Sequence, residues 1–550
     1  MELHMKSSFF GQVLRWLSGN RVLKHPDELD PSLWEKAIQP HAPAENKSQD
    51  DEPKREAHDD LPHGDEPKVD TQNDLPQSQG AEAGSGALVV GWYGKDDPEN
   101  PQNWPSALKH FVAFQMCILN FAVYIASSIY VPGEAEFMKE FGVSSEVAVL
   151  GLSLFTFGYG IGPMLWSPLS EMPSLGRTRI FIGTLFAFII FQLPVGLAPN
   201  APVFLVFRFV TGFCGSPCLA TGGGTINDIY PPTQVPYLLI IWQSAGVLGP
   251  VFGPVIGGFL APAAGWRWTI WLVTIFCSAV LILMFFCLPE TSADNILYCR
   301  AQRLRASTGN DRLKSQHEID SEHHTSKDTF LMLGRAFTLT FLEPIILLVD
   351  LYAGLLYGVL FIWFESFPLV FGDVYGFSTG EQGLVFLSIL VFTAISMTLF
   401  IIWLKKSLVP KMTSPNFKPE MVLPPTFIGC FALPICLFWF GWTSRPSVHW
   451  MIPTIGSGFF AIGVVTLFNS VYTYIGMVYA PYAASVFAGA ALFRASLGGA
   501  FPLLAQSLFD TLGIGPGNSL LGGLAILFIP VPFIFYHYGE RIRHLSKRAG

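Results

Sequence analysis

WTIWLVTIFCSAVLILMFFCLP, residues 268–289, runs for 22 positions without an Asp, Glu, Lys or Arg. About 20 apolar residues in helical form span the hydrocarbon core of a bilayer. No water is present there to serve the backbone, so a helix is the form that lets such a run bond itself internally. Working outward, similar charge-free runs precede it at Phe111–Gly133, Val147–Ser170, Ile180–Phe207, Phe209–Asn227 and Ile229–Trp266. After a polar gap come Leu351–Phe364, Gln382–Leu404, Met421–Ser444, Pro446–Phe493 and Thr511–Gly539. The run from Pro446 is too long for one crossing, and Tyr479–Pro481 divides it into spans near 451–473 and 482–505. The segment near 343–369 counts as one span. The reading is six spans, a break, and six more: an all-α membrane protein.

Composition agrees. Of 550 residues 51% are apolar and 13% charged, against about 25% charged in soluble globular chains. The 48 Phe and 52 Gly suit bilayer-facing bulk combined with close helix packing. The net charge of −8 says little, because acidic residues crowd into the N-terminal tail. No basic patch interleaved with aromatics suggests nucleic acid, and none is expected as a partner. Seven of the eight cysteines lie in apolar stretches, where the residue serves as a small hydrophobe. No zinc motif is present, so no metal site is expected. No Walker motif, nucleotide-binding glycine loop or nucleophile elbow appears either, which argues against an enzyme or ATP drive within this chain.

Lys and Arg in the connections set the orientation. With the N-terminus in the cytoplasm, seventeen fall inside and three (Lys139, Arg267 and Arg445) outside. Both termini are therefore expected to be cytoplasmic. The chain divides into a tail (1–105), a first six-helix bundle (106–290), a central loop (291–340), a second bundle (341–543) and a short C-tail (544–550). The tail is expected to be largely disordered, since residues 41–80 are rich in Asp, Glu, Pro, His and Gln and nearly lack aromatics. Ahead of them Phe9, Phe10, Val13, Leu14, Trp16 and Leu17 share one face of a short helix, with Arg15, Arg21 and Lys24 close by. Such a helix can rest on an anionic leaflet; the alternative is a loosely structured end. It is not a signal peptide, being too short and lacking a small-residue cleavage site.

Charges inside spans cost about 2.5 kcal/mol or more near the bilayer centre and are candidates for function. Arg208, Asp350, Glu365 and Arg494 are such charges, and Asp228 closes span 4. Arg208 shares a helix face with Gly212 and Gly215, small residues that let backbones approach while the guanidinium points inward. In span 7, Asp350, Gly354, Tyr357, Phe361 and Glu365 fall on one arc, which suits a path for cationic or aromatic solutes with carboxylates that load and release protons. Span 1 adds Asn120, Tyr124 and Ser127, with no acid before Glu134. Structural alternatives stand beside each: Arg208 and Arg494 as braces for the fold, Asp350 and Glu365 as hydrated groups near the two membrane faces.

Span 5 reads Gly246-Val247-Leu248-Gly249-Pro250-Val251-Phe252-Gly253-Pro254-Val255-Ile256-Gly257-Gly258. Gly246, Gly249, Gly253 and Gly257 stack into a flat face for tight contact with a neighbour. The pattern resembles the antiporter signature of major facilitator exporters, GxxxGPxxGG, matched at Gly249, Gly253, Pro254, Gly257 and Gly258, with Ile240 replacing the usual upstream glycine. Arg208 with Gly212 resembles the span-4 motif whose arginine is implicated in proton transfer. Pro168-Leu169-Ser170-Glu171, followed by Gly176-Arg177, is similar to the gating loop between spans 2 and 3. It departs in having Glu171 for Asp and two extra residues. Gly265-Trp266-Arg267-Trp268, Leu288-Pro289-Glu290-Thr291, Phe364-Glu365-Ser366-Phe367-Pro368, Pro419-Glu420 and Gly539-Glu540-Arg541-Ile542-Arg543 resemble fungal members of the twelve-span drug:proton antiporter family. Phe9-Phe10-Gly11-Gln12 resembles the tail of its azole- and benomyl-resistance exporters.

The resemblance, over about residues 88–545, implies the major facilitator fold: two six-helix bundles rocking about a midplane site. It implies export of amphipathic or aromatic compounds such as antifungals, toxins or secondary metabolites, driven by the proton gradient without a bound cofactor. Helix-face geometry together with the resemblance places the solute among Asn120, Tyr124, Gln243, Tyr357, Phe361 and Phe364. Arg208 and Glu365 lead the proton-linked residues, with Asp350 and Asp228 behind them. Expected partners are the bilayer, the solute and protons, with the chain acting as a monomer. The plasma membrane is the expected site, the vacuolar membrane the second choice. Competing readings are a nutrient or polyamine transporter of the same fold and a non-transporting sensor.

Overall fold

The computed structural model describes residues 6–19, 21–29, 38–40, 88–321, 340–341, 343–412, 414–415, 417–479 and 483–545. The expected disorder of residues 41–80 lies outside them. Twelve helices are long and apolar enough to cross a membrane. Spans 1–6 are Ser106–Ser128, Ser145–Glu171, Gly176–Gly196, Ala201–Ile229, Val235–Ala264 and Trp266–Cys287. Spans 7–12 are Pro344–Phe367, Thr379–Met412, Thr426–Thr443, Met451–Val478, Ala483–Leu512 and Ile514–Arg543. An even count returns both chain ends to the face that carries the connection between spans 6 and 7, hereafter the linker face.

One boundary differs from the charge-free runs. The turn between spans 3 and 4 lies within the uncharged stretch 180–207, where Asn200 caps span 4 by accepting a hydrogen bond from the Val203 amide at 3.0 Å. Loss of apolar character marks a turn only when a charge enters it; here a short polar cap does the work of a charge. Arg208 therefore sits two turns inside span 4 rather than at its head.

Small residues set the packing. Spans 1 and 5 lie side by side, as do spans 2 and 4. The two bundles meet along spans 2 and 11 and along spans 5 and 8. A Cβ on Gly158 or Gly212 would fall on the backbone of the partner helix, at Phe209 and Phe155 respectively, so spans 2 and 4 cross at backbone contact. Prolines inside spans free carbonyls, and neighbours serve them. Pro254 cannot donate to the Pro250 carbonyl, which accepts from Ser128 Oγ at 2.8 Å instead. Pro217 frees the Phe213 carbonyl, which accepts from Trp166 Nε1 at 3.0 Å and Ser216 Oγ at 2.8 Å, and span 4 tightens into a 3-10 turn at Ser216–Leu219.

On the linker face the described ends of the tail fold against the loop after span 6. The helix Phe9–Leu17 docks on span 6, with Phe9 against Phe285 (ring centroids 5.4 Å apart) and Phe10 against Phe286 (5.0 Å). Trp16 and Leu17 remain exposed. Strand β2 (Leu88–Val90) pairs antiparallel with β1 (Ile38–Pro40) and parallel with β3 (Leu313–Lys314). The linker helix Ala293–Thr308 carries Arg300, which ion-pairs with Asp97 (2.8 Å) and Glu99 (2.7 Å), and Arg303, which pairs with Asp27 (3.0 Å). His25 Nδ1 closes the cluster on Glu99 at 2.6 Å. Burial alone would raise Glu99, yet Arg303, His25 and Arg300 hold it well below the usual carboxylate range. Glu290 ties this cap to the first bundle by accepting the Arg177 and Thr178 amides that open span 3, at 3.0 and 3.1 Å.

Candidate functional site

The glycine face of span 5 seats span 1. A Cβ on Gly246 would lie 2.8 Å from Asn120 Nδ2, and one on Gly249 would lie 2.6 Å from Tyr124 Cβ. That closeness lets Asn120 donate to the Trp242 carbonyl at 3.0 Å and aims Tyr124 across to the other bundle. There the Tyr124 and Tyr357 hydroxyls meet at 3.2 Å, a hydrogen bond between span 1 and span 7. Tyr159 stacks edge-on against Tyr124 with centroids 4.7 Å apart.

Below this bridge a cavity of about 510 Å³ opens toward the linker face. Asn120, Tyr124, Gln243 and Tyr357 line it, as do Trp242 and Tyr472. Phe361 lies just beyond, lining a small adjoining void with Tyr159. Phe364 is buried behind it, packed on Phe361 and Phe386. The charged residues lining the cavity are Glu171, Arg177, Asp228 and Arg494. Arg177 bonds Asp228 at 2.5 Å, so the gating-loop arginine and the acid closing span 4 form one latch at the mouth. Gly224 makes room for it, since a Cβ there would lie 2.6 Å from the Arg177 guanidinium. Gly176 takes a left-handed φ of +72°, which suits glycine at the turn into span 3. Arg494 sits at the inner end of the cavity.

Three of the four intramembrane charges read from the sequence lie away from this lining. Arg208 is fully buried between spans 1, 2 and 4. It donates to the carbonyls of Gly151 (2.8 Å), Ala126 (2.8 Å) and Ser127 (3.2 Å), with its guanidinium over Phe155 at 4.7 Å. Asp350 is fully buried with neither carboxylate oxygen hydrogen-bonded. Glu365 lies toward the face opposite the linker, in the neighbourhood of Tyr130, Glu134 and Arg208. Glu134 stands 9% exposed at the start of the helix Glu134–Phe141, and one oxygen of each of these two glutamates is enclosed without a partner.

Glu134 escaped the sequence reading because it follows Gly133, where the charge-free run ends and a hydrated acid is the ordinary expectation. Its burial depends on a fold-back that Trp266 and Arg267 clamp: Trp266 donates to Glu136 and Glu140, both at 2.8 Å, and Arg267 pairs with Glu140. Gly265, at φ +93°, makes the turn that presents them. Trp242, Tyr159, Phe468 and Tyr472 were also missed; one aromatic among many in an apolar run carries no local signal of facing a cavity.

Residues 116–503 match the family model described as the Major Facilitator Superfamily. The chain belongs to the major facilitator superfamily. It is 43% identical over 473 residues to "Transporter mfs1" of Schizosaccharomyces pombe, covering 84% of this chain and 89% of that one. It is 36% identical over 566 residues to the "Cycloheximide resistance protein" of Candida maltosa, covering 100% of both. Among solved structures, the proton:xylose symporter XylE superposes with a TM-score of 0.56 at 16% identity, over 79% of this chain and 97% of that one, a likeness of fold alone. This major facilitator protein is thus a multi-pass membrane protein with both six-span halves present.

Proposed function

We propose that this chain is a proton-coupled exporter of amphipathic or aromatic small molecules, antifungals, toxins or secondary metabolites among them. It acts in the plasma membrane with the linker face toward the cytoplasm, both termini inside. The observation that carries the reading is a cavity walled by Tyr124, Trp242, Tyr357 and Tyr472, open toward the linker face, with buried carboxyls held apart from it near the opposite face. The relative named for cycloheximide resistance supports export as the direction, and so does the span-5 glycine face.

The residues fit an alternating cycle. With the cavity open to the linker face, a solute enters past the Arg177–Asp228 latch and lies against the aromatic wall. Closing that face and parting spans 5 and 8 on the other would carry it outward. The same motion opens a path to Glu134 and Glu365, which lie on opposite bundles at the seam that must part. A buried carboxyl exchanges its proton only when such a path opens, so proton passage and solute passage become steps of one motion. Arg208, anchored by carbonyls of spans 1 and 2, keeps a fixed positive charge beside the pair.

The test is accumulation of a fluorescent amphipathic drug in cells expressing the chain, with and without a protonophore. The reading expects lowered accumulation that the protonophore restores, and loss of the effect in Glu365→Gln. Unchanged accumulation by correctly inserted protein would count against export, and would favour a sensor on the same fold.

A further inference from the structure

The two arginines buried in the bundles are treated differently. Arg208 spends its donors on three backbone carbonyls. Arg494, in span 11, makes no hydrogen bond or ion pair among the described residues, and its Nε is enclosed without an acceptor. Its guanidinium instead lies over three rings: Tyr357 at 5.1 Å, Tyr472 at 5.3 Å and Phe468 at 5.6 Å. Ring faces attract the cation but accept none of its in-plane N–H donors, so the fork remains unserved.

Among the described residues no acid lies within ion-pair distance of it. Of the charged residues lining the cavity, Glu171 and Asp228 stand at the mouth with Arg177, and Arg494 alone lies among the aromatics of the inner end. The titratable groups around it are the neutral phenols of Tyr357 and Tyr472 beneath its guanidinium, those of Tyr124 and Tyr159 in the adjoining void, and Asp350 from span 7. Asp350 acts from behind the wall: it is absent from the cavity lining, and both its oxygens lack partners. The charge lining the inner cavity is therefore positive, whereas the span-7 stripe had suggested a path for cationic or aromatic solutes.

We infer that Arg494 is the anion-recognising centre of the solute site, and that this chain takes aromatic acids, compounds presenting a carboxylate or enolate oxygen on a planar body. Such a solute completes what the site lacks. Two oxygens accept from the guanidinium fork, the bidentate pairing that arginine favours, while the ring system lies along Tyr357, Tyr472 and Trp242. The inference rests on the export reading and narrows its substrate class.

The test uses the purified full chain and three matched probes: 1-pyrenebutyrate, its methyl ester and 1-pyrenebutylamine. The inference expects the carboxylate to bind at least about ten-fold tighter than the ester, and the ammonium weakest. In Arg494→Gln the acid-to-ester ratio should fall to about one, and Arg494→Lys should keep part of it. Equal binding of acid and ester by the unmutated protein would overturn the inference without reliance on any variant. So would a ratio preserved in Arg494→Gln. Protonophore-sensitive export of the ester and amine, with no preference for the acid, would remove this inference and leave the export reading standing. Failure of all three probes to bind or move would remove both.

Discussion

At the scale of single residues, small groups and hydroxyls do much of the positioning. The Ser128 hydroxyl replaces the donor that Pro254 lacks, so Ser128→Ala should cost about 1 kcal/mol, read as a lower unfolding midpoint in detergent. Gly249→Val would drive a Cβ into Tyr124. We expect a loss of about 1–3 kcal/mol from overpacking together with weaker solute binding, since Tyr124 must move. Arg208→Met should remove three bonds to buried carbonyls and cost about 1–3 kcal/mol, measurable by thermal unfolding. The sequence exposed Arg208 and Arg494 as equal anomalies, charges in apolar runs. It could not separate them, because the difference lies in which carbonyls and rings of other spans surround each guanidinium. The glycine face of span 5 was legible as a packing surface; its partner, span 1, was not, since nothing local to residues 246–258 names it.

At the scale of elements, most spans could be read from charge-free length alone, because lipid demands about 20 apolar residues whatever the tertiary fold. Reading failed where a boundary carries no charge, as at Asn200, and where a polar segment folds by pairing with distant chain. The tail's ends are of the second kind: Asp27, Asp97 and Glu99 look like solvated acids until Arg300 and Arg303 arrive from the linker helix. This cap should respond to pH. Burial lowers His25 from its ordinary value of 6.5, against the opposing hydrogen bond that it donates to Glu99. A lowered folded pKa means that His25 contributes stability above its unfolded value, and the contribution fades as pH falls below it. Glu99, held below the carboxylate range, follows the same sign at lower pH. Protection factors for amide exchange over Ala293–Thr308, each taken against the intrinsic rate at its own pH, should therefore be higher at pH 7.5 than at about pH 5.5, with His25→Gln removing most of the difference.

For the whole molecule, closure of the face opposite the linker depends on backbone contact between the bundles. A Cβ on Gly258 would lie 2.6 Å from the Thr379 carbonyl, and one on Gly383 would fall on the Pro254 carbonyl. Gly383→Leu should therefore oppose this closed state and shift the population toward the one open on the face opposite the linker. A cysteine in place of Tyr357 should then react about ten-fold faster with an impermeant maleimide added to that face. An unchanged rate would mean that the contact does not hold the closed state. The order of the spans and their division into two bundles were legible; the seam itself was not, because on this face it joins Pro254, Val255 and Gly258 to Thr379, Gly380 and Gly383, more than a hundred positions away.

The most direct measurement is solute movement in proteoliposomes containing the purified chain, with a pH gradient imposed across the membrane. The account predicts that a fluorescent amphipathic solute accumulates on the acidic side, that it does so in exchange for protons, and that Glu365→Gln abolishes accumulation against the gradient. Accumulation that ignores the gradient, or that persists undiminished in Glu365→Gln, would contradict it.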